Sequence, residues 1–171
     1  HYTLADGDQF GESVASIGDL NSDGVSELVV GAQGDDAVYV LFLSTSGSAA
    51  TVQKISNSDG GLAAHYAVSG WFGSSVAPLG DMNGDGVPDF AVGSGIANYF
   101  IFIFATTSGT VGDAAKVSNS EGGLAAFYAL DTVDKFGSSL ALAGNSDGTL
   151  ELVVGAYNDD DGGDYVGAAY V

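Results

Sequence analysis

Apolar residues in this chain gather in short runs rather than at helical spacing. Ser13 to Ile17 alternates small or polar residues with apolar ones, and Glu27 to Gly31 is a compact, mostly apolar segment. Ala37 to Leu43 is longer and rich in β-branched and aromatic residues, and Thr51 to Ser56 follows as a fourth segment. Alternation and β-branched runs of this length predict strands. Clusters of Gly, Asn, Asp and Ser separate them, and these residues form turns readily. No stretch holds a 3.6-residue apolar period long enough to predict a helix. Tyr99 to Phe104 is apolar at nearly every position, as expected of a strand buried on both faces.

The pattern repeats. Asp23, Asp85 and Asp147 stand 85 − 23 = 62 and 147 − 85 = 62 residues apart. Phe10-Gly11 recurs as Phe72-Gly73 and Phe136-Gly137, the last interval being 64 because the third copy has lost two residues before Asn145. Ile55-Ser56-Asn57-Ser58-Asp59-Gly60-Gly61-Leu62 returns as Val117-Ser118-Asn119-Ser120-Glu121-Gly122-Gly123-Leu124. Leu28-Val29-Val30-Gly31-Ala32 matches Phe90-Ala91-Val92-Gly93-Ser94 and Leu152-Val153-Val154-Gly155-Ala156. Four strands per 62-residue unit predict an all-β chain of β-propeller blades, each of four antiparallel strands, with the surplus residues in loops around Ser44–Ala50 and Gly60–Trp71. The units fall at roughly 1–62, 63–124 and 125–171 of a single array, the last one truncated.

Between the first two strands of each unit lies an acidic loop. The fullest is Asp81-Met82-Asn83-Gly84-Asp85-Gly86-Val87-Pro88-Asp89, with oxygen-bearing side chains at its first, third, fifth and ninth positions. Alternate residues of such a loop point inward, so carboxylate and amide oxygens replace the water of a hard cation. The Val87 carbonyl can fill the seventh position and Gly86 permits the sharp turn. An all-oxygen set suits Ca2+ better than zinc or copper. Asp19-Leu20-Asn21-Ser22-Asp23-Gly24-Val25-Ser26-Glu27 repeats the pattern, and Asn145-Ser146-Asp147-Gly148-Thr149-Leu150-Glu151 is a damaged copy. An EF-hand fits less well, because Val30 and Val92 stand where its bidentate Glu belongs and the flanks read as strands. Ordinary Asp-Gly and Asn-Gly turns are the plainer alternative.

Phe-Gly, then Asp-x-Asn-x-Asp-Gly-x-x-Asp/Glu, then Val-Gly-Ala resembles the FG-GAP repeat of integrin α-subunit propellers. With its Asn-Ser-Asp-Gly-Gly linkers it is more similar still to tandem FG-GAP repeats of bacterial and algal surface proteins. The resemblance implies a calcium-bearing, usually seven-bladed propeller, an extracellular location, and roles in adhesion, ligand recognition or surface structure. The ligands it implies are Asp19, Asn21, Asp23, Val25 (carbonyl) and Glu27, and in the second copy Asp81, Asn83, Asp85, Val87 (carbonyl) and Asp89. Asn145, Asp147, Thr149 and Glu151 would form a weaker third set. Glu27 and Glu151 depart from the family's commoner Asp, and the third copy lacks the first acid. The expected ranking is therefore second, first, third.

Composition narrows the partners. Asp and Glu number 22 against three basic residues, Lys54, Lys116 and Lys135, giving a net charge of −19. That excess of negative charge argues against nucleic acid or an anionic membrane surface. There is no Cys, and the longest apolar run, seven residues from Tyr99 to Ala105, is far short of the roughly 20 that a membrane helix needs. No signal peptide is visible, residue 1 already lying inside a repeat, and a processed or truncated chain reads the same way.

No nucleophile elbow, P-loop or zinc motif appears, and the carboxylates repeat with the blade, which favours scaffold duty over glycoside hydrolysis. The Phe-Gly pairs read as blade packing. Trp71 and Tyr66, beside His65, read as covers for a neighbouring blade, with sugar binding as the alternative. Asn158-Asp159-Asp160-Asp161-Gly162-Gly163-Asp164 reads as a solvated acidic turn, with a further cation site as the alternative.

Strands number four, four and three, and propellers need about four to eight blades to close. The expectation is thus a longer polypeptide or several associating copies. The leading function is a non-enzymatic, calcium-stabilised extracellular structural or adhesion module, able to assemble into a ring or filament. The alternative is a lectin-like or integrin-like propeller binding glycan or protein through inter-blade loops.

Overall fold

A computed structural model describes residues 2–126, 128, 130–131, 133–144, 150–161 and 166–171. Three antiparallel sheets follow one another along the chain. The first comprises β1 (Phe10–Gly18), β2 (Glu27–Ala32), β3 (Ala37–Leu43) and β4 (Ala49–Ile55), in that order. The second repeats it with β5 (Phe72–Gly80), β6 (Asp89–Ser94), β7 (Tyr99–Ala105) and β8 (Val111–Ser118). The third holds β9 (Phe136–Gly144), β10 (Leu150–Ala156) and β11 (Ala168–Tyr170), with β10 central. These are the meandering antiparallel sheets expected of propeller blades. The described helical structure is three single 3-10 turns, Gln33–Asp35, Leu62–Ala64 and Leu124–Ala126.

Two boundaries differ from the sequence expectation by more than one residue. The first strand of each blade starts at the Phe-Gly pair rather than three residues later. Gly11, Gly73 and Gly137 adopt positive φ there, and a bulge in all three blades lets the strand bend into the ladder. The fourth strand starts at Ala49, because the 44–48 turn is closed tightly by Ser44 N–H donating to the Ser48 carbonyl (2.8 Å).

Successive blades are locked through the repeated motifs. Ser13 Oγ donates to the Gly73 carbonyl of the next blade (2.9 Å), and Ser75 Oγ donates to that of Gly137 (2.7 Å). The approach is so close that a Cβ on Gly31 would lie 2.0 Å from the Gly73 oxygen, and one on Gly93 2.0 Å from the Gly137 oxygen. Phe72 and Phe136 fill the space beneath, both fully buried. This explains the unbroken apolar character of β6 and β7: the middle sheet is covered on both sides. On the outer side of the first blade the equivalent Phe10 is 41% exposed, and Tyr2, Leu4, Phe10, Tyr39 and Leu41 line an open groove.

The linkers between blades are pinned as well. Asn57 exchanges two hydrogen bonds with the backbone of Val68 (2.7 Å each), and Asn119 does the same with Leu130 (2.9 and 3.3 Å). Asp36 Oδ1 accepts the N–H groups of Trp71 and Phe72 (2.9 and 3.0 Å), and Asn98 Oδ1 accepts that of Phe136 (2.9 Å). Each clasp carries the entry strand of one blade on the turn between the second and third strands of the blade before, β2–β3 for Asp36 and β6–β7 for Asn98.

Candidate metal centre

The β1–β2 and β5–β6 loops fold alike, residue for residue. In the first, the Asp19 carboxylate accepts the N–H groups of Asp23 (3.0 Å) and Gly24 (2.8 Å), and Asp23 Oδ1 accepts that of Val25 (2.8 Å). Asn21 spans the loop, its Oδ1 accepting Asp23 N–H (3.0 Å) and its Nδ2 donating to Asp23 Oδ2 (2.9 Å). In the second, Asp81 accepts from Gly84, Asp85 and Gly86 (2.8, 3.0 and 2.9 Å), while Asn83 and Asp85 reproduce the Asn21–Asp23 contacts. Gly24 and Gly86 take positive φ, as the turn requires. Position four is Gly84 in one loop but Ser22, at φ 61°, in the other.

The ninth residue is unlike its neighbours. Glu27 and Asp89 are fully buried while the other candidate ligands of each loop lie near the surface. Asp89 is satisfied: Oδ2 accepts from Met82 (2.9 Å) and Asn83 (3.4 Å), and Oδ1 accepts from Ala105 on the far strand (3.0 Å). Glu27 has a longer arm and uses Oε2 to accept Leu20 N–H (2.5 Å), leaving Oε1 buried with no partner among the described residues. Carboxylate oxygens of Asp19, Asp23 and Glu27 lie within 4.8 Å of one another. Among the described residues the second loop forms no such carboxylate triad. The sequence ranking put the second loop first, whereas side-chain convergence is tighter in the first.

Electrostatics point the same way. Burial pushes the Glu27 carboxyl above the usual carboxylate range, and Asp23 and Asp19 add to it, against the Leu20 N–H. Burial likewise raises Asp89, with Asp85 adding to it, although three N–H groups oppose the shift. A buried carboxylate oxygen beside two acids, with no donor of its own, fits a hard divalent cation. Asp19, Asn21, Asp23 and Glu27 are the side chains that would hold it. Asn145, Asp147 and Thr149 lie outside the described residues. Glu151 is exposed and pairs with Ala143 across the β9–β10 ladder.

The linker aromatics part company. Tyr66 packs on the core and its hydroxyl accepts Lys116 N–H (3.3 Å), whereas Trp71, at φ 69°, is 45% exposed. Trp71 lines a groove of about 200 Å³ with Glu12, Ser74, Ser138 and Tyr157. Glu12, Ser74 and Ser138 are equivalent positions of the three blades. The groove therefore follows the repeat axis.

Sequence reasoning did not find the Asp36 and Asn98 clasps, nor the convergence of Asp131 and Asp134 with Asp160, whose carboxylate oxygens also lie within 4.8 Å of one another. The clasps share a position in the repeat, 98 − 36 = 62, and a left-handed backbone, which was the available signal.

Comparison with known proteins agrees with this architecture. Profiles of the FG-GAP repeat match residues 10–41 and 72–113, and a second FG-GAP repeat profile matches 130–171. The chain is 34% identical to human (Homo sapiens) integrin alpha-7 over 163 residues, covering 88% of this chain and 12% of the integrin. It is 33% identical to Bos taurus integrin alpha-2 over 95 residues, covering 50% and 8%. A Bos taurus phosphatidylinositol-glycan-specific phospholipase D is 39% identical over 84 residues, covering 44% and 10%. The chain thus matches only about a tenth of the length of these relatives. With the matched repeats falling on its blades, the chain belongs to the FG-GAP repeat family.

Proposed function

We propose that this chain is a non-enzymatic, calcium-stabilised structural or adhesion module of an extracellular protein. The observation that carries the reading is the pair of identically folded acidic loops, one of which buries a carboxylate oxygen without a partner. Calcium there neutralises carboxylates that otherwise repel, and extracellular modules bind it with dissociation constants of about 10⁻⁴ to 10⁻³ M. The single test is thermal unfolding of Asp85→Ala and Asp23→Ala in millimolar calcium and in excess chelator. Both variants melt lower than the parent in calcium, and the loss shrinks or reverses in chelator, where removing one carboxylate relieves repulsion. A melt in calcium that neither substitution lowers refutes a structural metal at these loops.

The exposed groove of the first blade supports assembly, its covering being further blades of a longer polypeptide or a second copy. Native mass by light scattering, with calcium and then chelator, tests the second-copy form: one chain's mass in both conditions removes it.

The axial groove favours a second reading, ligand recognition. An exposed Trp71 and Tyr157, 62% exposed, beside Glu12 and two hydroxyls offer a stacking platform and polar contacts suited to a sugar or a peptide. Saturable glycan binding lost in Trp71→Ala supports it; binding that survives that change removes it.

A further inference from the structure

A second kind of acidic cluster lies at the junction of the middle and third blades, away from the β-hairpin loops. Asp131 and Asp134 belong to the linker that enters β9, and Asp160 to the turn that leaves β10, and one carboxylate oxygen of each lies within 4.8 Å of the other two. Asp131 and Asp160 are exposed, but Asp134 is only 3% exposed. Its Oδ2 accepts Asp131 N–H (2.7 Å), while its Oδ1 is buried with no hydrogen-bond partner among the described residues. Asp131 is itself held, Oδ1 accepting Val133 N–H (2.9 Å).

The neighbouring Asp159 is also buried, yet it is satisfied: Oδ2 accepts the Tyr170 hydroxyl and Oδ1 accepts Asp161 N–H (3.2 Å). Tyr170 packs edge-on against Phe136 and Tyr128, which fixes the turn over the linker. Burial raises the Asp134 carboxyl above its ordinary range, and the charges of Asp131 and Asp159 push further in that direction.

The other blades show what this position needs. Asn158 N–H donates to the Asp134 carbonyl, as Gly34 N–H does to that of Asp8 and Ile96 N–H to that of Gly70, so these three sites correspond. In the first blade Tyr39 meets Asp35 as Tyr170 meets Asp159, but there Lys54 neutralises the acid at 2.7 Å. In the middle blade the corresponding residues are Gly70, Ala97 and Asn98, without charge. The first blade carries acids at the corresponding Asp8, Asp35 and Asp36 but has Ala5 where Asp131 stands, so among the described residues three carboxylates converge at this junction in the third blade alone. Among the described residues none of Asp131, Asp134 or Asp160 pairs with a Lys or His.

We propose that Asp131, Asp134 and Asp160 bind a divalent calcium ion that ties the inter-blade linker to the β10–β11 turn. Three carboxylates supply the charge and the hard oxygen donors that calcium prefers, and water completes such sites. This site is independent of the two hairpin loops, and either can fail without the other.

The test is calcium counting by equilibrium dialysis of the whole chain, with Asp134→Asn and Asp160→Asn compared to the parent. Asparagine keeps the shape, and at 134 it keeps an acceptor for Asp131 N–H. Each variant binds one calcium fewer at saturation. Thermal unfolding supplies a second readout: each melts higher than the parent in chelator, where like charge is relieved, and lower in calcium. Asp160→Asn is a surface change and decides the matter if Asp134→Asn does not fold. An unchanged count in Asp160→Asn overturns the site, leaving Asp160 to cap a following strand as Asp36 does. A melting shift of the same sign in both buffers also overturns it, since it marks a purely structural role.

Discussion

The closeness of the blades makes a quantitative prediction about Gly93. A methyl group there would lie 2.0 Å from the Gly137 carbonyl oxygen and 2.2 Å from Ser75 Oγ, where ordinary contact begins at 3.4 Å. The sheets must part by about 3.4 − 2.0 = 1.4 Å, or the side chain must be forced against the backbone. Parting breaks the Ser75–Gly137 hydrogen bond and strands a buried acceptor, which costs about 1–3 kcal/mol. Displacing packed strands costs about another 1–3 kcal/mol. Against this, replacing glycine in a strand recovers about 0.5–1 kcal/mol of backbone entropy. Gly93→Ala should therefore destabilise by about 3 kcal/mol, within a range of about 1–5 kcal/mol, a large part of the roughly 5–15 kcal/mol typical of a domain. Gly144 is the control, because it has open space around its Cβ position and no left-handed φ, so Gly144→Ala should stay within about 0.5 kcal/mol of the parent. Equilibrium urea unfolding in calcium measures both. If Gly93→Ala costs no more than Gly144→Ala, the blades do not meet as described.

Two further predictions concern single side chains. Asp36→Ala leaves the Trp71 and Phe72 N–H groups without their acceptor and puts alanine at φ 45°, so it should cost about 2 kcal/mol in urea unfolding, while Asp36→Asn, which copies Asn98, should be close to neutral; equal losses would refute the clasp. For pH, Glu27 and Asp89 have folded-state pKa values above their unfolded ones, so the folded chain binds protons more tightly. In chelator, stability should rise as pH falls from neutrality through those raised values toward the ordinary carboxylate value of about 4. Melting temperatures across that range should climb less steeply in Glu27→Gln; an equal or steeper climb contradicts the assignment.

Strand placement was readable because apolar runs and turn residues recur with the blade, and local patterning decides where a strand can lie. Phe72 and Phe136 could be assigned to blade packing for the same reason. Burial of the ninth loop residue was not readable: an Asp or Glu ending an acidic loop looks solvated, and only the fold shows Ala105 N–H arriving from another strand to meet Asp89. The Asp36 and Asn98 clasps were hidden because two residue types do one job across a blade boundary. Asp134 was missed because its partner Asp160 comes 26 residues later, 160 − 134, from a segment that alone reads as a solvated turn.

The serine-to-glycine bonds between sheets have one more consequence. Among the described residues the strong contacts between sheets run between those that follow one another in sequence, so the array behaves as a short one-dimensional chain of coupled units. The middle sheet has two such couplings and each outer sheet has one. Opening should therefore begin at the outer sheets, and the amides of β6 and β7 should be the last to exchange with solvent deuterium. A protein built this way can lose an end sheet and still keep a folded centre on which the lost one re-forms.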